Sequence, residues 1–157
     1  MKFYTKLQGN PIMTTQLLQA FLHTHIPATA ALQIQVQEAD REHVVLTMPH
    51  ASNRNHKNTA FGGSIALGAT TCGWALVHSH LPEAAGNIVI QQGETQYLRP
   101  AHGDLTIQTR PVAVESWQQM NDMFAKRGKG KIVLEIDVFS EGELAAVFVG
   151  KFVALKD

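Results

Sequence analysis

The 157-residue chain has one cysteine, Cys72, and no net charge, its 13 Lys and Arg offsetting 13 Asp and Glu. A single cysteine excludes an intrachain disulfide and a cysteine-built zinc site. The charge balance excludes the basic footprint that holds duplex nucleic acid, and it leaves little repulsion between copies of the chain. Charged residues are only 17% of the chain and apolar ones 45%, which is not the composition of a disordered segment. Met1 to Asn10 lacks the apolar run of a secretory leader. Asp, Glu, Lys and Arg are all missing between Asn58 and Pro82, yet that stretch carries Gly62, Gly63, Gly68, Gly73 and several Thr, Ser and His. A spanning helix needs ~20 mostly apolar residues, so this run is expected to be a helix buried in protein. The expectation is a cytoplasmic protein without membrane insertion.

Repeats, low-complexity tracts and linkers are also missing, so residues 1–157 are expected to form a single domain. Leu17, Leu18, Phe21 and Leu22 recur at helical spacing behind Thr14 and Thr15, and Pro27 ends that helix. From Leu32 the period becomes two, through Ile34 and Val36, and again from Val44 through Leu46 to Met48, predicting a hairpin around Asp40-Arg41. A polar loop, Pro49 to Asn58, leads into the buried helix, Gly62 to His80, which Pro82 closes. Strands are expected over Asn87–Leu98, Asp104–Val114, Lys131–Phe139 and Ala145–Leu155, with a hairpin turn at Glu141-Gly142-Glu143. Ser116 to Lys126 reads as a short helix or a long loop, and Arg127 to Lys131 as a basic turn. Strands and helices do not alternate, which argues against a doubly wound α/β fold. The order fits an α+β fold: an antiparallel sheet of five to six strands around one long helix, plus an N-terminal helix.

The chemistry concentrates where the polar loop meets that helix, at Asn55, Asn58, Phe61, Gly62, Gly63 and Ser64. The first N–H groups of a helix lack internal partners and carry partial positive charge. Glycines there let a ligand carbonyl approach, which is the layout of an oxyanion hole; a plain glycine-containing helix start is the other reading. Ser64 as a nucleophile would need a strand–turn–helix elbow in a parallel sheet, which this element order lacks. The eight histidines show no metal-ligand spacing: His23-x-His25 and His78-x-His80 place their pairs on different helix faces. No metal and no cofactor is called for. Cys72, mid-helix among small residues, reads as an inert packed thiol.

Asn58-x-x-Phe61-Gly62-Gly63-Ser64 before a small-residue helix resembles the central helix of hotdog-fold thioesterases. Gln96-Tyr97-Leu98-Arg99-Pro100-Ala101 resembles their Tyr-Leu-(Arg/Lys)-Pro strand ending. Gly73-Trp74 and Gly150-Lys151-Phe152-Val153 make the YiiD C-terminal thioesterase-like domain family the nearest likeness, from about Thr14 to Leu155. The resemblance implies a hydrolase of fatty acyl-CoA or acyl-carrier-protein thioesters, with active sites between subunits of a homodimer; a tetramer stays open. It implies that the carbonyl binds at Gly62 and Gly63, with the Gly63 N–H as leading donor, and that Phe61, Ser64, Asn55, Thr70, Tyr97 and Arg99 contact the substrate. Two departures stand out. Phe61 occupies the place of a common His, and the helix has no carboxylate where many relatives carry their base. Water activation is left to Asn58, Thr70, Thr71, Gln92 or Glu94. Glu94 needs a neighbouring subunit to bring it near, and otherwise reads as a solvated strand carboxylate. Arg127 and Lys129 could hold the phosphates of the carrier, or be simply solvated. A non-catalytic acyl-thioester binder is the competing expectation.

Overall fold

A computed structural model describes residues 14–157. The reading of Met1 to Asn10 lies outside the described residues. Helix α1 spans Thr15–His25; the Thr14 hydroxyl accepts the Leu17 N–H at 3.2 Å and caps it. Pro27 does more than stop this helix. It opens a second short one, α2 (Pro27–Ala31), where a fixed φ and a missing N–H suit the first helical position. Strand β1 therefore starts later than the alternation suggests, at Gln35–Ala39, because Leu32 and the left-handed Gln33 (φ 56°) close α2. Strand β2 is Val44–Met48, and helix α3 runs Gly62–His80, both as the sequence predicts.

The second half holds β3 (Ile88–Tyr97), β4 (Leu105–Thr109), α4 (Val114–Arg127), β5 (Lys129–Ser140) and β6 (Glu143–Leu155). The segment left open between helix and loop is a helix, burying Trp117, Met120 and Phe124. Of the stretch expected as strand it takes only Val114; β4 stops at Thr109, and residues 110–113 are irregular. The basic run from Arg127 is not a hairpin turn. Arg127 ends α4, Gly128 (φ 70°) is its left-handed cap, and Lys129 already belongs to β5. Glu141 and Gly142 both have positive φ, the geometry of a two-residue hairpin turn.

Among the described residues all strand pairings are antiparallel, in one six-stranded sheet of order β1-β2-β4-β5-β6-β3. The sheet wraps α3, the arrangement that the resemblance implies. Its inner face supplies Leu46, Met48, Leu105, Ile107, Leu134, Ile136, Phe148 and Phe152, all buried. Glycine costs a helix interior about 1 kcal/mol relative to alanine, and the packing shows why two are tolerated. A Cβ at Gly68 would overlap Ile107 and Met48, and one at Gly73 would overlap Phe152. Helix α1 covers the C-terminal half of α3: the Phe21 ring stacks on Trp74 and His78, at 5.9 and 5.2 Å between centroids. At the other half, Gly63 is exposed and Ala66, Leu67 and Thr70 are only half-buried.

Candidate active site

The polar loop before α3 is held by its asparagines. Asn53, 2% exposed, donates its side-chain amide to the Leu32 and Pro49 carbonyls at 2.9 and 2.8 Å, while its backbone carbonyl accepts the Phe61 N–H at 2.7 Å. The Asn55 carboxamide oxygen accepts the N–H groups of Lys57 and Thr59, a local turn that occupies this side chain. Asn58 is left-handed (φ 65°), a conformation asparagine tolerates, and its carbonyl accepts from His50 Nε2 at 2.8 Å. Ala60 N–H bonds the Ala101 carbonyl at 2.8 Å and ties the loop to the segment after β3.

The chain thus enters α3 in a fixed direction with an unusual cap. Phe61 is the N-cap residue, its side chain has no acceptor, and no side-chain cap is made. The first helical hydrogen bond in this turn runs from Ile65 N–H to the Phe61 carbonyl. The N–H groups of Gly62, Gly63 and Ser64 precede it and lie at the positive end of the helix dipole. Two half-exposed rings flank the glycines. Phe61, 57% exposed, packs on Gly63, where a Cβ would meet the ring at 2.5 Å. Tyr97, 54% exposed, lies 3.3 Å from the position of a Cβ on Gly62 and donates its hydroxyl to the Gly62 carbonyl at 2.8 Å. Between this helix start and the segment from Tyr97 to Ala101 is an open cleft of about 550 Å³, walled by Ile65, Leu98 and Ala60 as well as the glycines. Arg99 also lines it, with its guanidinium 2.8 Å from the Glu143 carboxylate.

The structure gathers Gly62, Gly63, Tyr97 and Arg99 at this cleft, with Phe61 and Ser64 beside it. Other candidates are placed elsewhere. Thr70 and Thr71 donate their hydroxyls to the Ala66 and Leu67 carbonyls, both at 2.8 Å, so each offers only lone pairs. Thr70 sits on the helix face of Gly63, about 10 Å along the axis; Thr71 is buried. Glu94 pairs with Val149, and strand alternation puts both on the outer face, opposite Phe148 and Phe152. Within one chain Glu94, with Gln92, therefore faces away from α3, while Tyr97 faces it. A register shift between Ile90 and Gln92 sets this parity. Arg127 and Lys129 are near the opposite end of β3: Lys129 pairs with Leu155, next to Ala154, the partner of Ile88. That is about 30 Å along the strand from Tyr97.

Burial shifts the pKa of three groups that lie away from this cleft. Burial pushes the Cys72 thiol well above its ordinary range, and the sulfur faces the Val44 and Ile107 carbonyls. Burial lowers His78 to about 4. His80 is also lowered, mainly by burial, and its ring stacks on Trp117 at 3.7 Å. Among the described residues, no three His, Cys, Asp or Glu gather as a metal site, and no helix is long and apolar enough to cross a membrane. Sequence reasoning missed Asn53 and Glu143. Asn53 is one polar residue among many in its loop, and its partner Leu32 is 21 positions away.

The chain resembles known proteins in sequence and in fold. The family model described as "Putative thioesterase (yiiD_Cterm)" matches residues 15–156. A protein of unknown function from Chlorobaculum tepidum is 26% identical, with TM-score 0.83 over 91% of this chain and 94% of that one. A structure from Shewanella oneidensis described as a putative thioesterase is 28% identical, with TM-score 0.76 over 90% and 97%. A Pseudomonas aeruginosa protein described as a probable thioesterase, 22% identical with TM-score 0.79 over 92% and 97%, shares the fold.

Proposed function

Because the chain belongs to the YiiD C-terminal family of putative thioesterases, we propose that it hydrolyses acyl-CoA or acyl-carrier-protein thioesters at the start of α3. The observation that carries this reading is the uncapped helix N-terminus, whose glycine N–H groups open onto an apolar-walled cleft. The thioester oxygen accepts the Gly63 N–H, and the helix dipole favours the negative charge that develops there. Phe61 and Tyr97 keep the helix start flanked by apolar surface, which strengthens that interaction by limiting water. Water attacks the carbonyl carbon, the C–S bond breaks, and the thiolate takes up the proton released from the water.

Asn58 is the proposed water-orienting group; Thr71, buried and about 12 Å along α3 from Gly63, is not. Glu94 is the proposed base, supplied by a second copy, since its own chain turns it outward. A homodimer is supported by β3. Among the described residues it is an edge strand paired on one side only, and it exposes Val89, Ile90 and Tyr97, with Leu98 beyond. In such a dimer, Arg127 and Lys129 of the second copy are the candidates for the carrier's phosphates. The cytoplasm, as expected from the sequence, belongs to the same reading.

Thiol release from acyl-CoA substrates of graded length tests the proposal, with Glu94→Ala alongside wild type. Turnover lost in a folded Glu94→Ala protein assigns the base. Turnover kept there retains the thioesterase and removes Glu94 from it. The lack of any carboxylate on α3 favours one alternative, a non-catalytic acyl-thioester binder. Tight acyl-CoA binding without hydrolysis would establish that alternative and end the enzymatic reading.

A further inference from the structure

We infer that the outer face of the sheet binds the outer face of a second copy, the two sheets stacked back to back about a two-fold axis that crosses the strands. Nothing in this contact depends on thioester chemistry. No helix among the described residues covers that face. Helix α3 lies on the inner one, and α4 sets Met120 and Phe124 over Gly130, two residues from the inward-facing Ile132. On β5 the outward positions are therefore Lys131, Val133, Glu135 and Asp137, alternating with buried Ile132, Leu134, Ile136 and Val138. Val133 is 55% exposed, and Val149, the β6 partner of Glu135, is 40% exposed. Apolar side chains at the centre of an unpartnered face suit it to a protein contact.

The charges around those valines decide what fits. The face is sorted by sign along the strands. Asp137 and Glu135 stand towards the Glu141-Gly142 turn, and Glu94 shares the row of Glu135 on the other side of Val149. Lys151 pairs with Val133 in the next row, and Lys131 stands one row further. Arg110 bridges Asp137 and Glu135 at 2.7 and 2.9 Å. Three carboxylates less one guanidinium leave two negative charges on one half, against the two lysines of the other. Lys131 and Lys151 enter none of the ion pairs among the described residues. A lipid surface or a polyanion laid on this face would meet the acidic half as well as the basic one. A second copy turned about an axis across the strands meets each half with its opposite. Asp137 then lies over the second copy's Lys131, and the second copy's Lys151 lies over Val149, between Glu135 and Glu94. An axis along the strands would set acid on acid and lysine on lysine, so the pattern selects one of the two stackings. Four rows about 7 Å apart on six strands about 4.8 Å apart cover roughly 20 by 24 Å. Two copies bury about 1,000 Å² there, the lower limit for a specific interface, so charge pairing decides whether the stack forms. The axis uses this face on both copies and closes the contact. A copy joined at β3 lies beside the sheet and this one behind it; the two contacts together make a tetramer.

The test is the solution mass, by light scattering and sedimentation, of three proteins: wild type, Lys131→Glu/Lys151→Glu, and Lys126→Glu/Lys156→Glu, which makes the same charge change off the face. None of the four lysines is buried, so both variants are expected to fold, and circular dichroism checks this. The face variant is expected to have half the mass of wild type, whichever other contact the copies make, and the control to keep the wild-type mass. For wild type, the Kd of the larger species should rise about tenfold between about 0.05 and 0.5 M NaCl, because salt screens charges that pair across a partly wet interface. Equal masses for wild type and the face variant, a control that loses mass as the face variant does, or a Kd independent of salt overturns the inference. Should the face variant fail to fold, the salt titration of wild type decides alone.

Discussion

The buried histidine of α3 makes the stability of this protein depend on pH in a way that can be calculated. His78 is 2% exposed, stacked on Trp74 at 4.8 Å and on Phe21, and burial lowers it from 6.5 to about 4. In the unfolded chain it regains its ordinary value. Between those two pH values the unfolded state binds a proton that the folded state refuses, so stability falls as pH is lowered through 6.5 toward 4. A difference of about 2.5 pH units at 1.36 kcal/mol per unit gives about 3 kcal/mol. For a chain of this size that is roughly 6–12 °C in Tm. The measurement is urea unfolding of wild type and His78→Phe, which keeps a ring in the stack, at pH 7.5, 6.5, 5.5 and 4.5. Other groups contribute equally to both proteins. The stability of the variant relative to wild type should therefore rise by about 3 kcal/mol on acidification, most of it by pH 4.5. Parallel curves for the two proteins would refute the reasoning.

Other expectations follow from single contacts. Gly73→Ala places a Cβ into the buried Phe152 ring; overpacking costs about 1–3 kcal/mol, and calorimetry should show a lower Tm despite the better helix propensity. Asn53→Ala strands the Leu32 and Pro49 carbonyls; a loss of about 1–3 kcal/mol should come with reduced thioester turnover, because the same residue sets the entry to α3. Tyr97→Phe removes the hydroxyl bond to the Gly62 carbonyl; turnover should fall while Tm, for a half-exposed bond, changes by about 1 kcal/mol equivalent or less. Cys72 should be silent to a thiol reagent in the native protein and titrate as one thiol per chain after denaturation, since burial keeps it protonated.

The limits of sequence reading follow the range of the interactions. Helix α3 was legible to its end residues because its signals are local: two glycines behind a polar loop, an uncharged run, and Pro82 after it. The Glu141-Gly142 turn was legible for the same reason. Helix α2 was not, since a proline stops one helix and begins another with the same geometry. The orientation of Glu94 depends on a register shift near Gln91 that only pairing with β6 reveals. Arg127 and Lys129 stood out as charges, but their distance from Gly63 depends on the direction of β5 in the sheet. At the candidate site, Gly62, Gly63 and Tyr97 were readable from motif; Asn53, which holds them, acts across 21 positions and leaves no local trace.

The two borders of the sheet are unequal, and the inequality bears on what assemblies are open to the protein. One border, β1, is five residues long, broken by a bulge between Val36 and Glu38, and carries an exposed carboxylate. The other, β3, is ten residues long. A sheet with two good borders can add copies without end, head to tail, into a fibre. With one blunt border, growth through backbone pairing terminates once two long borders meet, because a two-fold axis uses both and leaves only the poor ones outside. The fold thus carries its own stop to polymerisation: whatever joins at β3 closes the object rather than extending it.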